Sequence, residues 1–174
     1  CEAYLHGELG GRADEVGAYA ASTLFAVDRY ASYLMEWRDA YEGSDFLVAD
    51  RYATSNAIHQ CGKLPRGEWD GFVSWLYDFE FGKLGLPEPD KVFYLSMPVS
   101  TSEELLSARY AGDESKKDIH ERDDAYMRRA CEAAEWCCDR LGWERVECVR
   151  AGALRTVDEI HEEILRKAVP AHGE

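Results

Sequence analysis

Apolar residues recur along this chain with two different periods, and the alternation between those periods outlines a fold. Between positions 14 and 41 they fall three and four residues apart, with Tyr30, Tyr33, Trp37 and Tyr41 on one face, which predicts a long amphipathic helix. An aromatic stripe of this kind suits a core or a contact with a second copy. Trp69, Phe72, Val73, Leu76 and Phe79 predict another helix, and Tyr126, Ala130, Ala133, Cys137 and Leu141 a third. Ser100 with Glu103 has the form of a capping box for a helix reaching about Arg109. Thr156 with Glu159 has the same form before a last helix striped by Val157, Ile160, Ile164 and Leu165. Three short apolar runs of strand character lie between the helices, at 46–49, 92–97 and 145–149. Strands alternating with helices predict right-handed crossovers and a parallel sheet, the α/β class. The first 13 residues, with Gly7, Gly10 and Gly11, read as a loop after a short amphipathic piece. No repeat, low-complexity segment or linker interrupts the pattern, so residues 1–174 are expected to form a single domain.

Composition narrows the function classes. With 46% hydrophobic and 31% charged residues, the 174-residue chain is expected to be soluble and to bury a real core. No apolar run approaches the roughly 20 residues that span a bilayer, and nothing resembles a secretory signal, so a cytoplasmic location and no membrane are expected. The net charge of −14 repels polyanions, which argues against nucleic acid and anionic membranes as partners. A small anionic substrate stays open if a few Arg and Lys converge. The six cysteines contain no CxxC pair and no His at zinc-finger spacing, which argues against a zinc site and for reduced thiols. The sequence begins with Cys, so a processed chain or a fragment is expected.

Candidate chemistry sits at a few places. The run 46–49 ends in Asp50-Arg51-Tyr52, placing two charges at the carboxyl end of an expected buried strand, where open α/β sheets bind ligands. There an Asp can hold magnesium and an Arg can grip a phosphate by two hydrogen bonds; the alternative is a strand-end salt bridge. Phe25 and Arg29 lie four apart on one helix surface and could stack a base and hold its phosphate; they could equally be a core ring and a surface charge. Ser55, Asn56 and Gln60, on a short helix after the strand, offer donors and acceptors for a base edge, or serve as caps and solvated polar groups. From Tyr110 to Glu121 the chain turns polar, with Lys116, Lys117 and Asp118. This segment could be a lid over phosphates or an ordinary charged loop.

Taken in order, these pieces resemble the thymidylate kinase family over almost the whole chain. Leu24-Phe25-Ala26-Val27-Asp28-Arg29 is similar to the family helix whose Phe stacks on thymine and whose Arg contacts the nucleotide monophosphate. Asp50-Arg51-Tyr52 followed by 55–60 resembles the family's Asp-Arg-Tyr segment and base-reading helix. Pro89-Asp90 before a strand, Arg109 before the lid, and Asp118 to Glu121 beyond it complete the order.

The resemblance implies a P-loop kinase-type three-layer α/β fold with a parallel five-stranded sheet ordered 2-3-1-4-5. In that order the runs at 46–49, 92–97 and 145–149 would be the third, fourth and fifth strands. It implies transfer of the terminal phosphoryl of ATP to dTMP, giving dTDP, with Mg2+ as cofactor, dTMP and ATP as partners, and a homodimer. Phe25 would stack the base, while Arg29 and Arg51 hold the acceptor phosphate. Asp50 would organise magnesium. Ser55, Asn56, His59 and Gln60 would surround the nucleoside. Arg109, with Lys116 or Lys117, would neutralise charge on the transferred group, and Arg155 would lie near adenine.

His59 stands where the family usually has Tyr or Phe, and Ile119 follows Asp118 where Arg is frequent. No Gly-rich loop ending in Gly-Lys-Ser or Gly-Lys-Thr occurs in these residues, so the N-terminal strands and phosphate loop are expected to lie outside this chain. The alternatives are a non-catalytic kinase relic that binds nucleotide or a partner chain, and a deoxynucleoside kinase. The second is disfavoured because two arginines suit an acceptor that already carries a phosphate.

Overall fold

Small side chains decide which helices come closest. Ala57 and Cys61 on one helix and Ala133 and Cys137 on another are all buried, and their short side chains let the two backbones approach. Gly62, just past the first of these helices, is part of the same fit. A Cβ there would stand 3.2 Å from the Ala130 backbone nitrogen, tighter than side chains ordinarily pack.

The computed structural model describes residues 1–9, 15–110 and 124–169. In chain order the elements are α1 (Glu2–Leu5), α2 (Ala18–Ser32), a wide π-helical stretch (Tyr33–Trp37), α3 (Arg38–Gly43) and α4 (Ala53–Cys61). A 3-10 turn (Arg66–Glu68) leads into α5 (Trp69–Tyr77), which widens into a second π-helical stretch (Asp78–Lys83). There follow β1 (Phe93–Ser96), α6 (Val99–Tyr110), α7 (Asp124–Leu141), β2 (Glu144–Glu147), β3 (Val149–Arg150), β4 (Ala153–Leu154) and α8 (Val157–Ala168). α4 is the hub, packing against α2, α5 and α7. Around it, Phe72, Val73, Leu76 and Trp69 of α5 meet Cys137 and Cys138 of α7 and Trp143 in the main core. A second cluster of Tyr4, Ala21 and Tyr126 packs against Phe25 and Met127. All six cysteines are free thiols, and burial pushes the Cys61 thiol up to about 12, out of reach of ordinary thiolate chemistry.

β1 and β2 pair in parallel with Phe93 opposite Glu144 and Ser96 opposite Glu147, as the runs at 92–97 and 145–149 predict for neighbouring strands. The run at 46–49 differs. It joins no ladder among the described residues, and Phe46, Leu47 and Val48 are exposed, Val48 at 80%. The expectation of a buried strand fails there because a strand is held by hydrogen bonds to a neighbour, and no described segment supplies them.

Three smaller corrections follow from local geometry. The expected strand at 145–149 is broken at Cys148, and β3 turns back on β4 through Ala151 and Gly152, both with positive φ, the two-residue turn that suits a twisted hairpin. α6 starts at Val99, so Ser100 lies inside its first turn rather than capping it. The apolar stripe of α8 is not buried: Val157 and Leu165 are exposed and Ile160 and Ile164 half-buried. The helix at 14–41 is realised as α2, the π-helical stretch and α3. Its aromatic stripe divides: Trp37 packs edge-on against Tyr33 and Tyr52, while Tyr30 and Tyr41 face outward. No described helix is long and apolar enough to cross a membrane.

Candidate functional site

Two helices and the two residues ahead of the second build the site. α2 presents Phe25 and Arg29 one turn apart, and α4 presents Ser55, Asn56, His59 and Gln60 on one side because offsets of one, four and five share a helical face. Ahead of α4 stand Arg51 and Tyr52. These eight residues line one cavity of about 180 Å³. Seven of the eight were singled out as site residues from sequence.

Arg51 has φ of +65°, a left-handed backbone that a residue with a Cβ adopts at a cost of roughly 1–2 kcal/mol. That geometry swings its guanidinium over the start of α4. There Nη2 donates to His59 Nε2 at 2.7 Å and Nε lies 3.4 Å from Ser55 Oγ. The other side of the imidazole faces Tyr126, whose hydroxyl donates to the His59 carbonyl at 2.9 Å and sits 3.3 Å from Nδ1. Since the arginine has no acceptor to offer, Nε2 is the accepting nitrogen in its bond to Arg51. The two rings also stack, with planes 13° apart.

Arg29 is held differently. Its Nε donates to Glu80 Oε2 at 2.6 Å, and its guanidinium lies over the Tyr52 ring, 5.2 Å from the centroid. Glu80 is wholly buried and also accepts from Asn56 Nδ2 at 3.2 Å. Tyr52 donates its hydroxyl to the Pro87 carbonyl at 2.9 Å and stacks on Phe81. Burial pushes its phenol pKa up, partly offset by Arg29, so the ring stays neutral. Gln60 is buried and lines the cavity, and no group among the described residues pairs with its Oε1. Phe25 meets Tyr4 edge-on at 5.7 Å, which fixes its ring at the cavity rim.

The remaining candidates lie elsewhere. Asp50 is exposed beside the site but does not line the cavity. Arg109 is exposed in the last turn of α6. Lys116 and Lys117, with most of the expected lid, fall outside the described residues. Arg155 is committed to structure: it donates to the Glu147 carbonyl at 2.7 Å and the Glu159 carbonyl at 3.0 Å, and pairs with Glu163 at 2.7 Å, tying β2 to α8. Among the described residues no group of three or more His, Cys, Asp or Glu could hold a metal ion. Asp50 still fits the donor set of magnesium, which takes one or two carboxylates and fills its other positions with water and substrate phosphate.

Sequence reasoning missed Glu80, Tyr52 as a cavity wall, and Tyr126 as the support of His59. For Glu80 a signal existed. Position 80 continues the buried period of 69, 72, 73 and 76, so an acid there falls on a core face and requires a partner.

The thymidylate kinase family model matches residues 5–151. The chain belongs to the thymidylate kinase family. It is 34% identical over 126 residues to the thymidylate kinases of two Mycobacterium tuberculosis strains, CDC 1551 / Oshkosh and ATCC 25618 / H37Rv, a match covering 72% of this chain and 58% of each of those proteins. It is 28% identical over 153 residues to the thymidylate kinase of Fervidobacterium nodosum, covering 87% of this chain and 70% of that protein. The chain thus spans 58% of the length of its mycobacterial relatives. Membership in the thymidylate kinase family implies a P-loop kinase fold, to which the described residues contribute helices around a small parallel sheet.

Proposed function

We propose that the protein is a nucleoside monophosphate kinase that transfers the terminal phosphoryl group of ATP to dTMP, and that the cavity between α2 and α4 is its dTMP site. What carries this reading is the convergence of an aromatic ring, two guanidinium groups and two amides on one cavity in a chain of this family. A nucleoside monophosphate presents a π-face, a polar base edge and a dianion, and the cavity offers a counterpart to each. Phe25 is the stacking surface. Asn56 and Gln60 face the base edge, with Ser55 and His59 nearer the sugar. Arg29 has its charge met by Glu80, so Arg51 is the guanidinium best placed for the acceptor phosphate.

In phosphoryl transfer most catalysis is positioning and neutralisation of charge on the reacting oxygens. Arg51 contributes both, because His59 and Ser55 hold its fork from one side and leave further N–H groups for phosphate oxygens. Asp50 would hold Mg2+, which when bound shields the charges of donor and acceptor phosphates. Arg109, with Lys116 or Lys117, is proposed to meet the transferred group from α6 and the segment after it. Arg155, whose Nη1 and Nη2 meet the Glu147 and Glu159 carbonyls and Glu163, is proposed to lie near adenine through the loop it anchors before α8.

A coupled assay of ATP consumption on the full-length protein tests the reading. Turnover is expected with dTMP and not with thymidine, because Arg29 and Arg51 together suit an acceptor that already carries a phosphate. Binding of dTMP without turnover in that protein would favour the kinase relic. Faster turnover with thymidine than with dTMP would overturn the reading.

A further inference from the structure

Glu80 is the most confined charge in the described structure, wholly buried on the π-helical stretch that follows α5. A carboxylate in such a place survives only when paired and hydrogen-bonded. Arg29 supplies Nε to Oε2 at 2.6 Å and lies with Nη2 3.5 Å from Oε1, while Asn56 supplies Nδ2 to Oε1 at 3.2 Å. Each of the three residues comes from a different element, so the carboxylate ties α2 and α4 to the end of α5.

The tie has a directional consequence. An unrestrained Asn can rotate its side-chain amide by half a turn and offer either a donor or an acceptor. A carboxylate at 3.2 Å removes that choice, because it accepts only and repels another oxygen. Asn56 therefore turns its NH2 toward Glu80, and its carbonyl oxygen becomes the end it can offer a ligand. Gln60 shares the wall, but no described group ties its amide, so Asn56 is the amide whose direction is set. Its carbonyl oxygen favours a ligand edge that bears an N–H.

Resting on the dTMP-site reading above, we infer that Glu80 is the positioning residue that sets the base preference of this cavity. By fixing the Asn56 amide and anchoring Arg29, it favours a pyrimidine with a protonated ring nitrogen, the imide of thymine or uracil, over cytosine, whose N3 is a bare acceptor. A bare N3 would meet an oxygen, and an unpaired polar contact of this kind typically costs tenfold or more in affinity.

The test is calorimetric titration of the full-length protein with dTMP, dCMP and N3-methyl-dTMP, repeated on Glu80→Gln. The wild type is expected to bind dTMP at least about tenfold more tightly than either analogue. In Glu80→Gln the partner of Asn56 becomes an amide that can itself turn, so the preference for dTMP over dCMP is expected to shrink to within about threefold, with affinity for ATP unchanged. Were Glu80 merely a structural ion pair, the variant would lose melting temperature and keep the full preference, and that result overturns the inference while sparing the reading it rests on. The wild-type arm decides even if the variant fails to fold, since equal affinity for dTMP and N3-methyl-dTMP also overturns it. Failure of the wild type to bind dTMP at all would sink the dTMP-site reading first, and this inference with it.

Discussion

Arg51 concentrates the physics of the site in one residue. It is one of two described non-glycine residues with positive φ, and the other, Ala151, makes a hairpin turn. Strain of this sort persists where surrounding contacts over-determine the backbone, and here His59 and Ser55 do so through the side chain. Two substitutions separate side chain from backbone. Arg51→Ala removes the fork and keeps the strain, and is expected to lower kcat/KM with dTMP by about a hundredfold or more. Arg51→Gly removes the fork and also the Cβ clash, so its activity should fall equally while its melting temperature lies above that of the alanine variant. Steady-state kinetics and thermal unfolding measured side by side check both, and near-normal kinetics in either variant would take Arg51 out of the site. The same residue marks what sequence could carry at this scale. That Asp50-Arg51-Tyr52 is a candidate for chemistry was legible from two charges ending an apolar run, but that Arg51 would lean on His59, and His59 on Tyr126, was not. Tyr126 lies 67 positions from His59, and no local pattern links them.

Elements with self-contained local signals were read most accurately. α8 opens where Thr156 and Glu159 predict, with Glu159 N donating to Thr156 Oγ1 at 3.2 Å and Thr156 N donating to Glu159 Oε2 at 2.8 Å. The backbone hydrogen bond from Thr156, then the one from its hydroxyl, hold the Glu159 carboxyl below its usual range. A carboxyl pKa lowered by folding stabilises the fold fully above the unfolded value, and that contribution fades as pH falls through the lowered, folded value. Thr156→Ala should therefore lower the melting temperature by a few degrees at pH 7 and by progressively less below about pH 4. Differential scanning calorimetry across that range checks the slope, and a pH-independent deficit would mean the box contributes little through its charge. The π-helical stretches behaved oppositely. Their sequences continue a helical pattern, which carries position 80 onto the buried face, but the widening itself and the stacking of Phe81 on Tyr52 come from packing. The helix at 14–41 was likewise visible as a period, whereas its division at Tyr33–Trp37 follows from Trp37 reaching Tyr52.

At the scale of the molecule the described residues form a helical body with a narrow sheet, and some apolar surface is left uncovered. Phe46, Leu47 and Val48 are exposed in a run that joins no strand ladder among the described residues, and Leu95 of β1 is exposed as well. An apolar run with unpaired backbone is a template for pairing with another chain. The chain is therefore expected to self-associate as concentration rises, and Val48→Lys should shift sedimentation toward the monomer. An unchanged profile would move the contact to the outer face of α2 and the π-helical stretch after it, where Leu24, Val27 and Met35 are exposed. What the sequence determined by itself was whatever depends on near neighbours: the helical periods, the Thr156 box, the β1 and β2 runs, and the grouping of Phe25 with Arg29 and of Ser55 with Asn56, His59 and Gln60. These follow from spacing along one element, which fixes the face a side chain occupies. Tertiary structure alone decided how those faces meet. A buried carboxylate at Glu80 binds Arg29, 51 positions before it, and Asn56, 24 before it, and thereby orients an amide that lines the cavity. The physical reason is that burial and pairing of a charge are properties of the surroundings it folds into, whereas period and capping are properties of the chain.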